Sequence, residues 1–196
     1  MKTKFLLLTL FLLINSLSKA QNITGAFQFG INGCQVDGDT QGGYKKAGIK
    51  TGITVSTKTE NKFAVESGLL LNTKGVKKAQ DGYTEFKTNL NYIELPIIAK
   101  YRFCEKMGGE LGILYNYLMS SKIIDETFSE TPDTEFLKNY DIDASAGIRL
   151  YLNNNFEIIA QLEYSITKIT NINTMPNWRN NVINISIVKR FNLSKK

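Results

Sequence analysis

Acidic and basic side chains, with no histidine, set the chemistry open to this 196-residue chain. Asp141 and Asp143 stand two apart, and Glu94 and Glu110 recur in neighbouring segments. Paired carboxylates can perform glycosidase or general acid–base chemistry. Here the adjacent segments supply basic residues, which points to charge pairing instead. The absence of His removes the usual general base, the commonest metal ligand and every His-dependent triad. Asp37 and Asp39, with Gly38, Gly42 and Gly43, make an acidic, flexible stretch, VDGDTQGG. Calcium needs more oxygen ligands at defined positions than that stretch supplies, so a polar turn is expected. No cofactor, no metal and no enzymatic activity are expected.

The elements that must position these charges begin with residues 1–20. Lys2 and Lys4 precede an apolar run, Phe5–Ile14 (FLLLTLFLLI), and Ser18-Lys19-Ala20 offers small residues at a cleavage site. That is the form of a secretory signal peptide, leaving 21–196 as one exported domain. The run is about ten residues, well short of the roughly 20 that a membrane-anchoring helix needs. Gln21, rather than Cys, follows the expected cut, so lipoprotein anchoring there is not supported. Lys2, Lys4 and Lys19 also supply half of the net charge of +6, a poor basis for binding nucleic acid. No nucleic-acid partner is expected.

The remainder reads as strands separated by Gly, Asn, Asp, Thr and Lys clusters, with no sustained helical period. Eight strands are predicted: Ile23–Val36, Tyr44–Thr57, Lys62–Thr73, Leu90–Phe103, Gly109–Leu118, Tyr140–Leu152, Phe156–Lys168 and Val182–Phe191. In the fourth, Ile93, Leu95, Ile97, Ala99, Tyr101 and Phe103 oppose Tyr92, Glu94, Pro96, Ile98, Lys100 and Arg102. The sixth, seventh and eighth alternate in the same way. A soluble β-sandwich and a membrane barrel both alternate so.

Three observations favour an all-β, eight-stranded antiparallel up-and-down transmembrane barrel. Several apolar faces approach the 9–11 residues of a tilted membrane strand. Aromatics gather at two levels, Phe63, Tyr101, Phe103, Phe156 and Phe191 at one and Tyr115, Tyr117 and Tyr164 at the other, as in interfacial girdles. The polar faces are rich in glycine (Gly30, Gly48, Gly52, Gly68, Gly112, Gly147), which suits a narrow interior. Connectors agree: roughly 7, 16, 21 and 13 residues alternate with roughly 4, 5 and 3, as long outer loops alternate with tight periplasmic turns. A secreted lipid-binding barrel would instead require an apolar interior. Pro96 should mark a bulge in the fourth strand. Trp178, in the last long loop, suits either loop packing or contact with a partner.

Three motifs carry a resemblance: Ile31–Ile49 (INGCQVDGDTQGGYKKAGI), Leu69–Val76 (LLLNTKGV) and Tyr92–Phe103 (YIELPIIAKYRF). GGELGILYNYL and YDIDASAGIRLYL continue it. Together they resemble the PorT-like outer membrane β-barrel family of Bacteroidetes, over essentially all of 21–196. The resemblance implies an outer-membrane protein whose motifs are structural and none catalytic. Outer-membrane lipid is then the expected surroundings; the role expected is a monomeric, non-enzymatic barrel whose exposed loops contact a protein partner or which contributes to envelope integrity, with a narrow or gated pore as the alternative.

Projected inward by strand direction, Glu66, Lys100, Arg102, Glu110, Arg149, Glu157 and Arg190 form one layer of alternating sign. Glu94 and Asp143 add to the lumen charge. An eight-stranded barrel is just wide enough to be filled by side chains, so a salt-bridged plug is favoured over an ion path or gated pore. Arg102 with Glu110, and Arg149 with Glu157, flank short turns and are expected to pair. Cys34 and Cys104 fall at opposite barrel ends, separated by about 25 Å of apolar band. A disulfide tolerates only about 7 Å between Cα atoms, so two free thiols are expected. Migration of the monomer should therefore be identical on reducing and non-reducing gels, and an intramolecular 34–104 bridge would overturn the strand order.

Overall fold

The computed structural model describes residues 23–38, 42–57, 62–80, 83–125, 130–131, 136–171 and 177–192. Residues 1–20, read above as a signal peptide, lie outside them, as does Asp39. The strands are β1 (Ile23–Asp37), β2 (Lys46–Thr57), β3 (Phe63–Gln80), β4 (Tyr83–Arg102), β5 (Met107–Asp125), β6 (Glu130–Thr131), β7 (Tyr140–Tyr151), β8 (Phe156–Ser165) and β9 (Arg179–Asn192). Every pairing is antiparallel, and β1 closes on β9 while β4 meets β5 and β5 meets β7. Eight strands thus form a closed ring, and β6 is a two-residue rung outside it on β5. Closure leaves no sheet edge along the barrel, which is what a β-structure needs to cross lipid.

Alternation in sequence becomes alternation across the wall because successive Cβ atoms leave opposite faces of the pleat. Along β8, Glu157, Ile159, Gln161, Glu163 and Ser165 are buried, while Phe156, Ala160, Leu162 and Tyr164 are exposed. The inward face is the polar one. Gln28, Asn32, Lys50, Thr54, Asn72, Lys74 and Asn184 are all buried, against an outer surface of Phe, Ile, Leu and Val. That is the inverse of a water-soluble protein and the pattern of a barrel in lipid. Lumen glycines make room for these side chains. A Cβ on Gly112 would stand 2.3 Å from Ile98 Cδ1 and 2.6 Å from the Ile97 carbonyl.

Two expectations need correction. The third and fourth predicted strands are joined by a long stretch, residues 74–89, read as a connector. Instead β3 and β4 continue their ladder to Gln80↔Tyr83, and β4 pairs with β5 as far as Phe86↔Asp125. A neighbouring strand offers backbone partners whether or not a face is apolar, so the hairpin outruns the hydrophobic pattern. Gly75, at φ 130°, sits where its Cβ would meet the Thr88 carbonyl at 2.1 Å. The second correction concerns Pro96. No bulge forms there; the ladder to β3 simply lacks rungs between Ser67↔Ile97 and Leu70↔Glu94, with the register unchanged. Proline removes a donor, but flanking pairs hold the strand in step. The irregularity on the β5 side falls at Asn91/Tyr92.

Cys34 is buried in the wall of β1, whereas Cys104 is exposed in the β4–β5 turn, and both are free. Leu95, Ile148 and Leu162 are 45 %, 52 % and 58 % exposed on the outer surface. Arginine at any of them should cost about 2–4 kcal/mol when unfolding is followed in lipid vesicles, the value for a lipid-facing charge near the midplane. Gly112→Arg should also destabilise, but through lumen crowding, so its cost should persist in detergent micelles where the lipid-facing cost shrinks.

Candidate functional site

The lumen is where this sequence places its chemistry, because closure buries every inward polar group. In its lower half, nearest the short turns, Arg149 on β7 is the hub. Its Nη2 lies 2.5 Å from Glu66 on β3 and its Nη1 3.0 Å from Glu157 on β8, and its Nε pairs with Glu110 on β5. Lys100 joins Glu66 at 2.8 Å, and Arg190 joins Glu157 at 2.9 Å. One guanidinium thus holds three strands by charge-assisted contacts, the strongest class of polar contact.

A second cluster fills the upper half. Lys50 lies 2.7 Å from both Glu94 and Glu163, while Lys74 pairs with Asp143 and approaches Glu163 at 3.5 Å. The Asn72 amide donates to Glu94 and Glu163, and Asn116 donates to Asp143. Asp141 accepts from Ser165 at 2.6 Å and from Asn180 at 2.8 Å. Gln161 links the halves: its carbonyl accepts from Lys50 at 3.0 Å, and its amide donates to Glu110 at 2.9 Å.

Above this lies an apolar cap. Val36, Val76, Leu90, Tyr92, Leu118, Leu137 and Ile169 are buried together, and Phe136 and Trp178 pack against them edge to face at 6.1 Å. Leu137 and Ile169 come from the β5–β7 and β8–β9 connectors, which bond to each other: Lys138 donates to the Ile169 carbonyl and Ile169 to that of Trp178. Trp178 is therefore a packing residue of the cap.

Of the residues singled out from sequence, Glu66, Glu94, Lys100, Glu110, Asp143, Arg149, Glu157 and Arg190 all point into the lumen and have partners there. Arg149 with Glu157 is a direct pair. Arg102 with Glu110 is not: Lys100 stands opposite Glu110, Arg102 stands opposite Gly108, and Arg102 instead stacks over the Tyr151 ring at 4.0 Å. The turn is shorter than predicted because β5 begins at Met107, which moves the facing positions. Lys50, Lys74, Asp141 and Glu163 were not among the expected network residues. Lys50 and Glu163 were legible, each falling on the polar face of its strand, but Lys74 sat in a segment read as connector.

On the outside, Phe63, Tyr101, Phe103, Phe156 and Phe191 are exposed beside the short turns, with Phe63 and Tyr101 rings 4.7 Å apart. Tyr115, Tyr117 and Tyr164 are exposed toward the long-connector end, where Tyr115 stacks on Tyr140.

Residues 18–171 match the model of the outer membrane protein beta-barrel domain. The chain belongs to that family. An outer-membrane location follows. No curated protein matches it in sequence. Among solved structures, the outer-membrane barrel resembles Ail, the attachment invasion locus protein of Yersinia pestis, at 14 % identity and a TM-score of 0.54, covering 87 % of this chain and 99 % of that one. Neisserial surface protein A is similar at 17 % identity and a TM-score of 0.53, covering 85 % and 97 %. These likenesses are of fold.

Removing one partner of a desolvated ion pair typically costs about 3–5 kcal/mol. Arg149→Met should reach that range in urea unfolding from vesicles, followed by Trp178 fluorescence. A double-mutant cycle should show strong coupling between Arg149 and Glu110, and near-additive behaviour for Arg102 and Glu110.

Proposed function

We propose that this barrel is a non-enzymatic, non-conducting protein of the outer membrane that supports envelope integrity or secretion-related assembly and presents its outer loops to a protein partner. The observation behind this reading is the lumen. Paired charges on seven strands lie beneath an apolar cap made partly of loop residues. Permeation would require breaking ion pairs in a desolvated interior, a cost that leaving them intact avoids. The resemblance of YIELPIIAKYRF and its neighbouring motifs to PorT-like proteins of Bacteroidetes favours the secretion-related role.

The outward surface suits contact with outer-membrane lipid over its whole circumference, and so a monomer. The exposed aromatics at two levels suit the two interfaces of the bilayer as girdles. Loop docking is supported by the long β3–β4–β5 extension. β2 leaves β3 at Asn72, while β3 and β4 continue together beyond that rung.

A narrow or gated pore is the second reading, favoured by the open cavity at the periplasmic mouth. Planar-bilayer recording separates the two. The purified barrel should give no discrete conductance steps, and variants that open the network, such as Arg149→Ala with Lys100→Ala, should give them. Steps of uniform size from the unmodified protein would replace the plug with the pore.

A further inference from the structure

The periplasmic mouth differs from the rest of the lumen in that its open cavity is lined by cations and by no acid side chain. A cavity of about 610 Å³ opens there, lined by Lys62, Lys100, Arg102, Tyr151 and Arg190. Lys100 and Arg190 lean on Glu66 and Glu157, but those carboxylates are shared with Arg149. Among the described residues Arg102 contacts no carboxylate; it stacks on Tyr151, and the Arg190 guanidinium lies 5.4 Å from the same ring centre. Lys62 is tied to Arg102 through the backbone, its carbonyl accepting from the Arg102 amide at 2.9 Å, and among the described residues it too has no acid partner. The lower half therefore sets Lys62, Lys100, Arg102, Arg149 and Arg190 against Glu66, Glu110 and Glu157. The upper half leans the other way, with Lys46, Lys50 and Lys74 against Glu94, Asp141, Asp143 and Glu163.

An excess of positive charge held in a concave, low-dielectric mouth concentrates anions from the adjoining solvent. The two guanidiniums bracketing Tyr151 are held by stacking and backbone contacts, so little ordering cost is left for a ligand. Guanidinium forks match phosphate and carboxylate oxygens, and the cavity leaves room for several such groups. We propose that this vestibule is a periplasm-facing binding site for a small, soluble, phosphate-bearing polyanion, held by Arg102, Lys62 and Arg190. Occupation would balance the surplus charge while leaving the three ion pairs of Arg149 in place.

Tripolyphosphate is a suitable probe, titrated by calorimetry into the barrel in a non-ionic detergent at physiological ionic strength. One saturable site is expected, with orthophosphate binding at least about tenfold more weakly because it meets fewer of the cations. Arg102→Gln with Lys62→Gln should weaken tripolyphosphate by about tenfold or more. Lys189→Gln, on the outer wall, should leave it unchanged. Arg102 and Lys62 lie outside the ion-pair network, so the variants should keep the heat-modifiable gel mobility of a folded barrel. Absence of a saturable site, equal binding of the two phosphates, or unchanged affinity in the double variant would each overturn the proposal. Loss of the titration in nanodiscs containing cardiolipin, but not in zwitterionic ones, would overturn the soluble ligand in favour of a lipid headgroup.

Discussion

Arg149 reaches Glu66, Glu110 and Glu157, which lie on three different strands of the ring. The arrangement follows from size. Eight strands enclose an interior that side chains fill, so a carboxylate turned inward cannot be left to bulk water. It must be met by a cation or by hydrogen-bond donors, and an unpaired ion there would cost several kcal/mol. Once Arg149 is committed to three acids, Lys100 and Arg190 are drawn to the remaining oxygens of Glu66 and Glu157. Gln161 then passes the constraint upward to Lys50.

The lumen is consequently layered along its axis. Loop residues Leu137 and Ile169 complete an apolar cap at the outer end, and Lys74 approaches the Tyr92 ring from below at 5.5 Å. The middle is ionic and densely paired. The mouth beside the short turns is open and basic. A uniform water-filled channel would have no reason for such stratification. The outer surface is simpler, since lipid demands only apolar side chains and places no demand on pairing.

How much of this was legible depends on range. The inward position of Glu157, Gln161 and Glu163 follows from alternation in ten residues of β8, because the pleat is a local property. The lipid-facing set, the glycine-lined interior and the even strand number are legible for the same reason. The ends of β3 and β4 were not, since residues 74–89 pair through backbone groups that carry no side-chain signal. The cap was hidden too: Leu137 and Ile169 lie in connectors, and they meet only because two loops bond across the mouth.

The sequence by itself therefore determined the barrel, its inside-out polarity and the supply of lumen charges, all of which rest on the two-residue period of a strand. The tertiary structure alone decided which charges meet. Glu110 lies eight residues from Arg102 yet pairs with Arg149, and Glu66 reaches Arg149 across 83 positions. Those partnerships are set by turn length, register and the curvature of a closed sheet, which bring distant strands face to face across a lumen one or two side chains wide.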